Sequence, residues 1–173
     1  TTAGDVARFA RMMLNEGELD GVRVLSRDSV RLMSSVQSPP GVEARRSAGW
    51  DIESPFSRPR GSVLPIGSYG HTGWTGGSLW IDPYSRTFVI FLSNRNHPTE
   101  SGNVLPLRRA LGTLAAEAVR DFNFLHVPGA LPWQPGGATF ANWVMAGPSS
   151  PRTDRCQPNG STPCWSPTAA TRC

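Results

Sequence analysis

No lysine occurs in this 173-residue chain; all 17 of its basic side chains are arginine, and the net charge is +4. Chemistry that needs a lysine cannot be completed within these residues. The arginines are scattered, and only Arg45-Arg46 and Arg108-Arg109 are adjacent. Nucleic-acid binding calls for a clustered basic stripe with aromatics between, so no nucleic-acid partner is expected. Cysteine is absent until Cys156, and Cys164 and Cys173 complete a set of three. That odd count fits no zinc spacing and excludes a disulfide-stapled body. The longest apolar run, residues 87–92 (TFVIFL), is far too short to cross a bilayer. The chain opens on Thr1 without a charged-then-apolar leader.

Several catalytic signatures are missing as well. The nucleophile elbow Gly-x-Ser-x-Gly is absent. Gly67-Ser68-Tyr69-Gly70 brings its second glycine one residue too early, and Gly76-Gly77-Ser78 also fails. There is no phosphate loop, no dinucleotide glycine fingerprint, and no cysteine near a histidine for thiol catalysis.

Periodicity supplies the elements. Val6, Phe9, Ala10, Met13 and Leu14 share one helical face, which predicts a helix over 3–14. Thr2 is its N-cap, Asp5 sits at its positive end, and Gly17 stops it. Residues 18–21 read as a turn, flanked by extended Val22 and Val24. Ser26 caps a second helix to about residue 34, with Val30 and Met33 inward. Residues 35–47 read as an exposed loop, 48–53 as a strand, and 54–67, with three prolines and two glycines, as another loop. Residues 69–93 read as an antiparallel hairpin turning at Pro83-Tyr84-Ser85-Arg86. Its second strand is apolar on both faces, so a central place covered by helices is expected. A last helix starts near Leu105, with Pro106 in its first turn. Leu107, Leu111, Leu114, Ala118 and Val119 mark its buried face. From 127 to 173, Pro, Gly, Ser and Thr dominate and no period persists. Such a segment cannot offset its ordering entropy and is expected to be disordered. A linker or a shifted reading frame would explain it equally.

The three histidines are His71, His97 and His126. His97 lies in a polar loop before Pro98 and His126 closes the patterned region, so both read as structural. With no carboxylate at ligand spacing, they form no metal motif. His71 differs, because Thr72-Gly73 and Gly76-Gly77 follow it. Glycine in a strand marks the close approach of a ligand or another backbone. A glycine-relieved bulge with surface polars would account for the same residues.

Four segments carry a resemblance. Residues 1–9 (TTAGDVARF) look like the Ser-Thr-Ala-x-Asp-Leu-Ala-Arg-Phe helix start of serine β-lactamase-related proteins. Residues 18–26 (ELDGVRVLS) are similar to their Gly-x-Leu-Asp-Gly-x-Arg-Val-Leu-Ser linker. Residues 70–83 (GHTGWTGGSLWIDP) resemble their third active-site box and its following strand, and residues 88–94 (FVIFLSN) the strand after it. The chain thus resembles the C-terminal portion of a penicillin-recognising serine hydrolase of the β-lactamase, D,D-peptidase and esterase kind, over about residues 1–125.

The resemblance implies a mixed α+β fold, an antiparallel sheet packed with helices, of which residues 1–126 form a partial domain. It implies acyl transfer through a Ser-x-x-Lys nucleophile, helped by a Tyr-x-Asn or Ser-x-Asn element and a Lys-Thr-Gly box, with no metal or organic cofactor. By position, His71-Thr72-Gly73 stands for the box, and the Trp74 N–H for an oxyanion donor. His71 and Trp74 are therefore the candidate catalytic residues, and Thr72, Gly73 and Thr75 the candidate substrate-binding ones. The expected partner is a small-molecule or peptide substrate in an intact periplasmic or secreted enzyme. Two departures matter. Histidine replaces the box lysine and is cationic only part of the time near neutrality, which favours an ester or peptide substrate over a strict β-lactamase. Ser-x-x-Lys and Tyr-x-Asn are both missing; the family carries them upstream, so this chain is expected to be inactive alone. A non-catalytic binding homologue or a decayed gene product are the alternatives.

Overall fold

A computed structural model describes residues 1–127. The expected change of character beyond residue 127 lies outside them.

Helix α1 (Ala3–Leu14) opens on a full capping box. The Thr2 hydroxyl accepts from the Asp5 N–H, and the Asp5 carboxylate accepts from the Thr2 N–H. Strands β1 (Glu18–Leu19) and β2 (Val22–Arg23) pair as a short hairpin, so the expected turn over 18–21 is confined to Asp20-Gly21 and Glu18–Leu19 are strand. Helix α2 (Arg27–Ser34) is capped by Ser26, and Val30 is its buried anchor.

The remaining strands make one antiparallel sheet. They are β3 (Arg45–Arg46), β4 (Asp51–Glu53), β5 (Tyr69–Thr72), β6 (Ser78–Asp82) and β7 (Thr87–Phe91), neighbours in that order. In the β5–β6 pair His71 faces Leu79, and Thr72 faces Ser78. Strand alternation then sorts the core into two layers. Tyr69, Ile81, Phe88 and Ile90 meet Ala10, Met13 and Leu14 of α1 on one face. Trp80 and Val89 meet Ala115 and Ala116 of helix α3 (Leu105–Glu117) on the other.

Four expectations need correction. Residues 35–47 are not all loop, since Arg45–Arg46 pair with β4. Residues 54–67 hold a 3-10 turn at Arg58–Arg60 and bury Val63 and Leu64 against the α3 side of the core. Strand β7 is not central among the described strands: it is the end strand, although helices cover both its faces. Finally, α3 is rotated from its expected phase. Leu107 is 46% exposed and Ala118 is exposed, whereas Arg108, Leu111, Gly112, Ala115 and Ala116 are buried. The cause is a close approach. A Cβ on Gly112 would strike the Arg60 and Pro59 carbonyls. The glycine therefore has to face the 3-10 turn, and that turns Leu107 outwards.

Candidate active site

The site is built at the end of β5, where the chain leaves the sheet at Gly73 and re-enters it at Ser78. The Gly73 N–H donates to the Gly77 carbonyl at 2.8 Å, and the Gly76 N–H to the Gly73 carbonyl at 3.1 Å. Gly76 has φ +122°, and a Cβ there would meet the Ser93 hydroxyl. Only glycine allows this turn to pack against the segment that follows β7.

Two arginines fasten the turn. Arg108 reaches across from α3; its Nε donates to the Gly76 carbonyl and its Nη2 to those of Gly73 and Gly77, each at 2.8 Å. Arg95 donates from Nε to the Trp74 carbonyl at 2.6 Å and from Nη1 to that of Gly102 at 3.0 Å. Its guanidinium carbon also lies 4.3 Å from the Trp74 ring centroid, a cation–π contact. The Arg95 N–H takes the Thr75 carbonyl at 2.8 Å. Every carbonyl from Gly73 to Gly77 is thereby occupied. The N–H groups of Trp74 and Thr75 donate to nothing among the described residues.

Neither arginine forms an ion pair with a carboxylate among the described residues. Burial, and secondarily the charge of Arg95, lowers the Arg108 pKa from its ordinary value. In front of the turn lies an open groove of about 520 Å³. His71, Thr72, Gly73 and Trp74 line it together with Arg46, Asp51, Phe56, Arg95, Asn103 and Arg108. Asp51 is fully buried and already bound to Arg46 Nε at 2.7 Å and to the Ser54 hydroxyl. With Arg46 neutralised by that pair, the groove keeps the two positive charges of Arg95 and Arg108. A negatively charged or charge-developing ligand suits it.

Of the sequence candidates, His71, Thr72, Gly73 and Trp74 come together on this groove, and exposed Thr75 lies on the turn beyond it. The His71 Nδ1 lies 2.9 Å from the Thr72 carbonyl, which orients the ring along the strand end. Spacing alone did not single out Arg95 and Arg108. A signal for Arg108 was nevertheless present, because it precedes Leu111 by three residues and Ala115 by seven. An arginine on the apolar face of a helix is a cation aimed inwards.

A sequence profile of the β-lactamase family matches residues 1–114. The chain belongs to the β-lactamase family. Relatives in this family include a protein of Escherichia coli O157:H7 named "Putative D-alanyl-D-alanine carboxypeptidase", 29% identical over 99 residues, which cover 56% of this chain and 22% of that protein. One of the same name from Salmonella typhi is 33% identical over 115 residues, covering 65% and 26% respectively. The chain thus spans about a quarter of the length of the curated relatives it matches. The matched residues run from α1 through every strand into α3. Among the described residues no helix is long and apolar enough to cross a membrane, and no three His, Cys, Asp or Glu side chains gather as metal ligands.

Proposed function

We propose that this chain supplies the oxyanion wall and one side of the substrate groove of a serine hydrolase that works through an acyl-enzyme. The observation that carries the reading is the turn after His71-Thr72-Gly73. Its carbonyls are consumed and its Trp74 N–H is left open beside a cationic groove. In the proposed reaction a serine Oγ, supplied from outside these residues, attacks the substrate carbonyl carbon. The C=O electron pair moves onto oxygen, and the Trp74 N–H donates to that developing charge. Collapse breaks the bond to the leaving group, which departs as amine or alcohol with the proton that the serine gave up to a base beside it, and water then releases the acyl group and restores the serine hydroxyl. Thr72, Gly73 and Thr75 border the substrate, and His71 takes the box position. No metal or organic cofactor is required.

Cell-wall peptides are the favoured substrate class, with esters and β-lactams as chemical relatives. Two things support this choice: the name borne by the relatives, and a groove with two unneutralised guanidinium groups. A periplasmic or secreted enzyme fits that substrate. Without a lysine anywhere, the chain alone cannot supply Ser-x-x-Lys, and we expect it to hydrolyse nothing by itself. The coding DNA upstream of Thr1 tests the reading. An in-frame Ser-x-x-Lys followed by Tyr-x-Asn or Ser-x-Asn is expected. An open upstream frame without that nucleophile contradicts the proposal and favours a binding homologue.

A further inference from the structure

The peptide that bears the proposed oxyanion donor is held by a side chain far away in sequence. The Gly73 carbonyl and the Trp74 N–H belong to one planar trans unit, so they point in opposite directions. Whatever fixes the carbonyl fixes the N–H. Arg108 Nη2 donates to that carbonyl at 2.8 Å while its Nε and Nη2 also hold the carbonyls of Gly76 and Gly77. The next peptide is treated the same way. The Trp74 carbonyl, which shares its plane with the Thr75 N–H, takes Arg95 Nε at 2.6 Å.

We infer that Arg108 is the positioning residue of the oxyanion donor: it sets the plane of the Gly73–Trp74 peptide and polarises its N–H, with Arg95 doing the same for the peptide that follows. This inference rests on reading the Trp74 N–H as that donor. Three features of the site support it. Arg108 is 9% exposed, yet no carboxylate pairs with it among the described residues, so its bonds go to backbone carbonyls. Charge-assisted bonds are shorter and stronger than neutral ones, and a carbonyl so engaged draws electron density from its own N–H. The fork geometry is also specific. The three bonds leave two nitrogens held in one rigid plane, Nε and Nη2, whereas an ammonium offers its three donors from a single freely rotating nitrogen. The turn is thus set before any ligand arrives, with its donor facing the groove and no reorganisation needed as charge develops.

The test uses amide NMR of the 173-residue chain, with Arg108→Lys and Arg95→Lys. Arg108→Lys keeps a positive charge and removes the fork. We expect it to move the Trp74 amide proton upfield and to lower the Trp74 order parameter from about 0.85 towards 0.6, while Thr75 changes little. Arg95→Lys should give the converse, with Thr75 moving more than Trp74. Signals of Ile81 and Phe88 in the core report that the fold is intact. A Trp74 amide that keeps its shift and its order in Arg108→Lys overturns the inference. If the variant does not fold, the unaltered chain decides the matter. A through-hydrogen-bond coupling between Arg108 Nε and the Gly76 carbonyl carbon is expected, and its absence overturns the inference as well. The outcomes are separable from those of the hydrolase reading. Arg108-dependent order at Trp74 without a trappable serine removes the hydrolase alone. A trapped serine with an indifferent Trp74 removes the clamp alone.

Discussion

Strand β6 is bounded by two turns of opposite electrostatic design. The turn after it is built around an anion. Asp82, fully buried, accepts from the Ser68 hydroxyl at 3.0 Å, from the Ser85 N–H at 3.0 Å, from the Tyr84 N–H at 3.3 Å and from the Ser85 hydroxyl. The turn before it is built around cations, with Arg108 and Arg95 donating to a row of carbonyls. An anion at the centre of a turn uses up its N–H groups. Cations use up its C=O groups and leave N–H groups free. The first design satisfies a turn from within, and the second leaves one with free donors, which under the proposed function meet a substrate that develops negative charge. This difference supports the proposed site more sharply than any single side chain does, because the two turns share a strand and a core.

The anionic turn is the more sensitive of the two to substitution. Asp82→Ala leaves buried hydroxyl and N–H donors without a partner, and we expect it to cost about 3 kcal/mol in urea unfolding. It should leave the Trp74 amide environment unchanged. A disturbed Trp74 would mean that the two turns are not independent. Arg108→Gln strikes the cationic end. It strips several carbonyls of a charged donor, and a loss of about 2 kcal/mol is expected from the same measurement, accompanied by loosening at residues 73–77.

A titration sharpens the anionic side. Burial, helped by the nearby charge of Asp82, pushes the Tyr69 hydroxyl above its ordinary pKa of 10.0. Its folded value is the raised one. The stability that depends on neutral Tyr69 is therefore fully present below pH 10 and is lost as the pH climbs above it. Tyr69→Phe should flatten that alkaline slope in a pH series of unfolding midpoints. The smallest expected effect is a control at α1, outside both turns. Hydrogen bonds from the Thr2 backbone and side chain, the largest influences, hold Asp5 below its ordinary 3.8. That contribution is present above pH 3.8 and disappears as acid carries the pH through the lowered value. Asp5→Asn should remove this acid dependence and leave the Tyr69 slope untouched.

What the sequence disclosed was local. The Thr2–Asp5 cap, the Asp20-Gly21 turn, the Ser26 cap and the β6–β7 turn depend on residues within a few positions of one another, so their chemistry is visible in the string. The β-lactamase family likeness was legible for a similar reason, since it rests on short contiguous segments. The errors were long-range. The phase of α3 follows from the fit of Gly112 against Arg60, 52 positions earlier. Residues 63–65 are loop, as their prolines and glycines indicate, but those residues do not disclose that Val63 and Leu64 pack in the core layer of Trp80. Strand β7 read as central because its two apolar faces report on helices above and below, not on strands beside it. His71 to Trp74 stood out through glycine spacing, yet the arginines that shape their turn lie 21 to 35 positions downstream and no local pattern joins them.

The most direct test of the central claim is serine trapping. The protein that carries this region together with its upstream coding sequence would be treated with a labelled penicillin or fluorophosphonate, and the modified peptide mapped by mass spectrometry. A single labelled serine is expected in an upstream Ser-x-x-Lys, with labelling slowed by Arg108→Lys. A folded protein that takes up neither probe, or one labelled on a serine within these 173 residues, would contradict it.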